Sequence, residues 1–142
     1  MMFDRVTQFG FSQGIAPAAA RIDNTPIVSS ILDLQDKHAA AFITNIGTNT
    51  DVNATFTMLL EESAASNMAG ANAVSDDDLI LTEASASFTF ASDGSIRKLG
   101  YRGAKRYIRA TITPVGNDSG NIFVDGLWMW EGHQQPVAQP TT

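Results

Sequence analysis

The sequence predicts an all-β chain, an antiparallel β-sandwich of jelly-roll type with seven or eight strands, and three observations point to it. Short β-branched and apolar runs recur at roughly 10-residue spacing, separated by Gly, Asn, Asp and Ser. No segment of convincing helical length carries an apolar stripe. The pattern also lacks the strand–helix alternation that marks a parallel α/β sheet.

Each element has its own justification. Pro26–Leu34 is β-branched and partly alternating, and Ala39–Ile46 is apolar and is expected to stop at Gly47, where Gly47–Asp51 has turn chemistry. Val52–Glu62 alternates, with Phe56, Met58 and Leu60 on one face and Thr55, Thr57 and Glu61 on the other. Residues 63–75 are rich in Ala but carry Gly70, Asn67 and Asn72, and read as a loop with room for a short helix. Leu79–Thr82 and Ser85–Ala91 read as short strands, the second running to an Asp93–Gly94 turn. Ile96–Tyr101 leads into Arg106–Val115, where Ile108, Ala110 and Ile112 face inward and Tyr107, Arg109, Thr111 and Thr113 face outward. Gly116–Gly120 is a clear turn, and Asn121–Glu131 is the last strand. The sandwich domain is thus expected over residues 26–131. Residues 1–25 scatter Phe3, Phe9 and Phe11 among Gly, Ala and Pro without a period, and residues 132–142 are polar and interrupted by Pro136 and Pro140. Both ends read as extended arms, either frayed or ordered against a neighbouring subunit.

Composition narrows the function. At 142 residues and 44% hydrophobic content, the chain can hide a packed core. No apolar run approaches the roughly 20 residues of a membrane helix, and the start MMFDRVTQFG has no basic lead into an apolar stretch, so neither membrane insertion nor a secretory signal is expected. There is no cysteine. The net charge of −6 argues against nucleic-acid binding, which needs excess Lys and Arg. Yet six of the nine basic residues (Arg97, Lys98, Arg102, Lys105, Arg106 and Arg109) fall in a window without an acid, while acids gather at Glu61–Glu62 and Asp76–Asp78. A locally basic segment on an acidic body suits an acidic partner or another copy of the chain.

No catalytic constellation is expected. Gly10–Phe11–Ser12–Gln13–Gly14 matches the G-x-S-x-G of serine hydrolases, but that elbow needs a strand before the serine and a helix after it. No strong strand precedes Ser12, Pro17 follows closely, and His38 and His133 are the only imidazoles. Asp76–Asp77–Asp78 lacks the alternate spacing and glycine of a calcium loop, and Glu61 and Glu62 point to opposite faces of a strand. Neither a metal nor a cofactor is expected. The sequons at Asn53 and Asn117 read as chance.

The last strand is unusual because both of its faces are largely apolar. Ile122, Val124, Trp128 and Trp130 share one, and Phe123, Leu127 and Met129 share the other. Either an arm of the chain covers it or one face meets another chain, since Trp and Met are enriched in interface cores. A carbohydrate-stacking platform of paired Trp is a third reading. The candidate interface residues are therefore Arg102, Lys105, Arg106, Arg109, Trp128, Met129 and Trp130, with pairing of Arg106 and Arg109 to Asp33, Asp36 or Glu61 as their intramolecular alternative.

The run Leu99–Thr113 (LGYRGAKRYIRATIT) resembles a family of small structural proteins of tailed bacteriophages and related gene transfer agents. In these a glycine-tyrosine and a short turn precede Lys-Arg-Tyr-hydrophobic-Arg at the head of a strand. Ile31–Gln35 and Phe56–Ser63 are similar to the family's earlier strands in order and spacing, and the likeness extends over about residues 26 to 135. The resemblance implies a β-sandwich virion protein made in the host cytoplasm and bound outside the head, as a decoration (cement) protein or the base of a head spike or fibre. Its implied partners are the major capsid protein, further copies in a trimer or pentamer, and a spike or fibre protein. The competing reading is a carbohydrate- or receptor-binding module, which requires an exposed Trp128 or Trp130.

Overall fold

The computed structural model describes residues 4–132. Its strands are β1 Phe9–Ile15, β2 Ile27–Val28, β3 Leu32–Asp33, β4 Lys37–Asn49, β5 Thr55–Ser63, β6 Asn72–Ala73, β7 Leu79–Ile80, β8 Phe88–Thr89, β9 Ile96–Tyr101, β10 Tyr107–Val115 and β11 Ile122–Gly132. A short helix, α1 Glu83–Ala86, lies between β7 and β8.

Two antiparallel sheets pack against each other. One has the order β1-β11-β4-β9-β7, and the other β2-β10-β5-β6, with β3 also on β10 and β8 also on β5. Taking β2 with β3 and β6 with β8 as single positions, and β7 as an extra edge, the eight strand positions run 1-8-3-6 and 2-7-4-5. That is the jelly-roll topology. The order buries the pattern read from the sequence. Phe42, Leu99, Ile122 and Trp128 of one sheet face Phe56, Leu60, Ile108 and Ile112 of the other, all at 1% exposure or less. Each such side chain contributes roughly 1.5–3 kcal/mol by leaving water.

The N-terminal segment departs from the expected arm. Its Phe9–Ile15 stretch is strand β1, hydrogen-bonded along β11 from Phe9 opposite Glu131 to Ile15 opposite Gly126. No period was visible because the residues facing the core are Gly10, Ser12 and Gly14. Large rings on neighbouring strands fill the space they leave: a Cβ on Gly10 would lie 2.4 Å from the Trp130 indole, and one on Gly14 would lie 2.6 Å from Phe42. The G-x-S-x-G run is therefore the small-residue face of an edge strand, with Ser12 opposite Trp128 and no helix behind it. The expected C-terminal arm over residues 132–142 lies outside the described residues except for Gly132, as does His133.

Other elements also differ. Pro26–Leu34 splits into β2 and β3 because Ser29 and Ser30 interrupt the ladder. The Ser29 hydroxyl accepts the Ala110 N–H at 2.9 Å, and the Ser30 N–H turns to the Gly14 carbonyl at 2.8 Å. β4 does not stop at Gly47 but runs on to Asn49, past an irregularity in the β11 ladder between Ile122 and Val124. The expected strand Ser85–Ala91 begins as helix instead, since Thr82 and Ser85 form a reciprocal capping box ahead of Glu83–Ala86. Gly116–Gly120 is a turn as expected. It is anchored by Asn117, which is fully buried, so its sequon cannot carry a glycan, and which donates to the carbonyls of Arg21 and Asp23.

Candidate functional site

Strand parity decides which residues the five-stranded sheet turns away from the core. With Phe42 on β4 opposite Trp128 on β11 inside, the odd-numbered residues between the two bulges of this ladder, Ala39–Asn45 and Asp125–Glu131, point out. One transverse row of outward positions crosses all five strands: Phe11, Met129, Ala41, Gly100 and Ile80. It holds no charge. The adjacent row continues with Gln13, Leu127, Ile43 and Lys98. Phe11, Ile80 and Leu81 are 41%, 50% and 52% exposed.

The surface is concave. Ala39, Ala41 and Gly100 form the floor of a groove of about 330 Å³, walled by Phe9 and Met129 on one side and by Ile80 and Leu81 on the other. The small floor residues leave this space open. A Cβ on Gly100 would lie 2.9 Å from that of Ile80, so glycine lets Ile80 lie down against the sheet.

A second depression, of about 380 Å³, adjoins the groove at the start of β4 and shares Ala39 and Ala40 with it. Lys37, His38, Arg102, Lys105 and Arg106 line it, and no carboxylate does. Lys37, opposite Gly132 past a bulge in β4, lies over Trp130, its Nζ 5.1 Å from the ring centroid. The β9–β10 connection that carries Arg102, Lys105 and Arg106 is pinned by Tyr101. Its hydroxyl donates to Glu62 at 2.6 Å and accepts the Lys105 N–H at 2.9 Å. Burial, and after it the Glu62 carboxylate, pushes the phenol pKa up, so Tyr101 stays a donor.

The seven candidate interface residues separate into four groups. Met129 turns into the groove, while Trp130 borders it from the core side of β11, its ring resting on Gly10. Arg102, Lys105 and Arg106 line the basic depression. Arg102 Nε also donates to the Asp77 carbonyl at 2.8 Å, and Arg106 makes a two-pronged pair with Asp33, both contacts at 2.8 Å. Arg109 sits on the six-stranded sheet, where it pairs with Glu61 at 2.9 Å, so it takes no part in this site. Trp128 is in the core. Its Nε1 donates to the Ser30 carbonyl at 3.0 Å, and its ring stands edge-on to Phe42 with centroids 4.7 Å apart, so it can neither stack a sugar nor meet a partner. Phe9, Phe11, Ile80 and Leu81 were not expected in the site. A signal for part of it lies in Ala39, Ala41 and Ile43, an apolar second face on β4 like that of β11.

The other motifs contribute nothing to this surface. Asp76–Asp78 form a short 3₁₀ turn ahead of β7, and among the described residues no three His, Cys, Asp or Glu side chains group as a metal site. No helix among them is long and apolar enough to cross a membrane. No protein-family model and no curated protein matches the chain, so the functional reading rests on the sequence and on this geometry.

Proposed function

We propose that this chain is a structural virion protein, a decoration protein or head-spike base on the capsid exterior. It acts by self-assembly and by docking on the major capsid protein. The observation that carries the reading is the charge-free row from Phe11 to Ile80 across the outer face of a five-stranded sheet. An antiparallel sheet normally turns a polar face to water, and contiguous exposed apolar surface marks a site of association. The resemblance of residues 26 to 135 to head proteins of tailed phages supplies the setting. Jelly rolls serve capsids and lectins alike, so topology alone does not choose between them. The withdrawal of Trp128 into the core weighs against the sugar-stacking alternative.

The test uses the full chain and its Ala41→Arg variant, which places a guanidinium on the groove floor. The wild type should form a discrete oligomer by light scattering or sediment with capsids purified from the same source. Ala41→Arg should lose capsid binding while melting within a few degrees of the wild type. A wild type that is monomeric and ignores capsids, or a variant that binds as well as the wild type, would overturn the reading.

A further inference from the structure

We propose that β1 is a pairing edge for a second copy of this chain, joined antiparallel across a two-fold axis so that two five-stranded sheets become one of ten strands. This rests on the self-assembly named above and supplies its contact.

The first observation is that every other sheet edge is blunted. The six-stranded sheet ends in β2 and β3 on one side and in β6 and β8 on the other, each two residues long. The far edge of the five-stranded sheet is β7, also of two residues. Short edge strands guard against unwanted pairing, as do charges and prolines on the edge. β1 has none of these guards. It is seven residues long, contains no proline, and lies in a run without a charge from Val6 to Ala20.

The second observation is unpaired backbone. Towards the end of β1 the Ser30 N–H donates to the Gly14 carbonyl at 2.8 Å, and the Ser30 hydroxyl donates to the Gln13 carbonyl at 2.9 Å. From Phe9 to Ser12, the N–H and C=O groups turned away from β11 meet no partner among the described residues. A strand laid alongside satisfies them.

The third observation selects a second copy as that strand. An identical strand brings the same uncharged edge, so two chains of net charge −6 meet there without like charges along the seam. Opposed residues on antiparallel strands share a face, so odd positions of β1 stand against odd ones. A seam centred on Phe9–Ser12 therefore sets Phe11 against Phe11 or Phe9 of the second copy. Phe11 is 41% exposed, and such an aromatic cross-strand pair takes its ring out of water. The apolar row from Ile80 to Phe11 then runs on into the same row of the second copy.

The chain has no cysteine, so single-cysteine variants crosslink only where the thiol is placed. Phe11→Cys, alone or mixed with Phe9→Cys, should form an intermolecular disulfide about tenfold faster than Val115→Cys, an exposed position on the six-stranded sheet. By light scattering, the wild-type mass should rise from one chain towards two as the concentration approaches about 1 mM. Phe11→Lys should weaken this association about tenfold while melting within a few degrees of the wild type, and Ala41→Arg should leave it intact. A wild type that stays monomeric, crosslinking no faster than at Val115, or undiminished association of Phe11→Lys would overturn the proposal. Capsid sedimentation keeps the two readings apart. Chains that crosslink through β1 yet ignore capsids uphold the seam and sink capsid docking. Capsid binding that is lost in Ala41→Arg, with no crosslink at Phe11→Cys, upholds the docking face and sinks the seam.

Discussion

The Trp130 indole occupies the space that a side chain at position 10 would need: a Cβ on Gly10 would sit 2.4 Å from both Cε2 and Nε1 of the ring. The two residues are register partners on β1 and β11, so the edge strand is seated by an aromatic ring lying on a glycine. Gly10→Ala should therefore push Trp130 out of place or open the β1 edge, at a cost of roughly 1–3 kcal/mol, as overpacking does elsewhere. Thermal unfolding reads this directly. Because Trp130 is only partly buried against the core, the variant should change the Trp emission spectrum as well. Unchanged stability and emission would mean that the ring does not rest on Gly10.

The two tryptophans should behave as opposites. Trp128 is 1% exposed and bonded to the Ser30 carbonyl, whereas Trp130 is only partly buried. A Trp130→Phe variant, which retains Trp128, should emit to the blue and resist iodide. The Trp128→Phe variant should quench several-fold more steeply. Trp128→Phe should also destabilise by about 1–3 kcal/mol, since a smaller ring leaves space in the core and the indole's bond to the Ser30 carbonyl is lost. Quenching of the Trp130→Phe variant by oligosaccharides would contradict the burial of Trp128 and revive the sugar-binding alternative.

What could be read beforehand follows from periodicity. β5 and β10 alternate cleanly, with Phe56, Met58 and Leu60 on the same buried face as Ile108, Ala110 and Ile112, so their faces and the sandwich were legible. β1 was not, because Gly10, Ser12 and Gly14 complement rings contributed by distant strands, and no local pattern records a space left for another residue. The apolar outer face was half legible for a related reason. Met129 stood out against the apolar strand around it, but Phe11 and Ile80 join its row only through strand order, which composition does not encode. Of the acids open to Arg106 and Arg109, the structure pairs Asp33 with the first and Glu61 with the second.

Asp51 organises the loops at the end of the sandwich where Gly116–Gly120 turns. Its buried carboxylate accepts the N–H groups of Asn53, Asp118 and Ser119 at 2.9–3.1 Å, and the Ser119 hydroxyl. Those donors, Ser119 first, hold its pKa below the usual carboxylate range. Asp51→Ala leaves several loop N–H groups without their acceptor, and should lower the unfolding midpoint. Urea unfolding measures it: a midpoint within error of the wild type would show that the loop is not tied together through Asp51.

The Arg106–Asp33 pair predicts a specific acid dependence. Hydrogen bonding from the Arg106 guanidinium lowers the Asp33 pKa to about 2, from an ordinary value near 3.9. A depressed carboxylate contributes its stability above the ordinary value, and loses that contribution as pH falls from about 4 towards 2. Both side chains are more than 40% exposed, so solvent screening keeps the contribution to about 0.2–1 kcal/mol. Asp33→Asn should therefore melt slightly below the wild type at pH 5 to 7, with the gap closing as pH approaches 2 and shrinking in high salt. Asp51 titrates in both proteins and cancels from the difference. A gap that persists unchanged to pH 2 would mean that the stability lost with Asp33 is packing rather than charge.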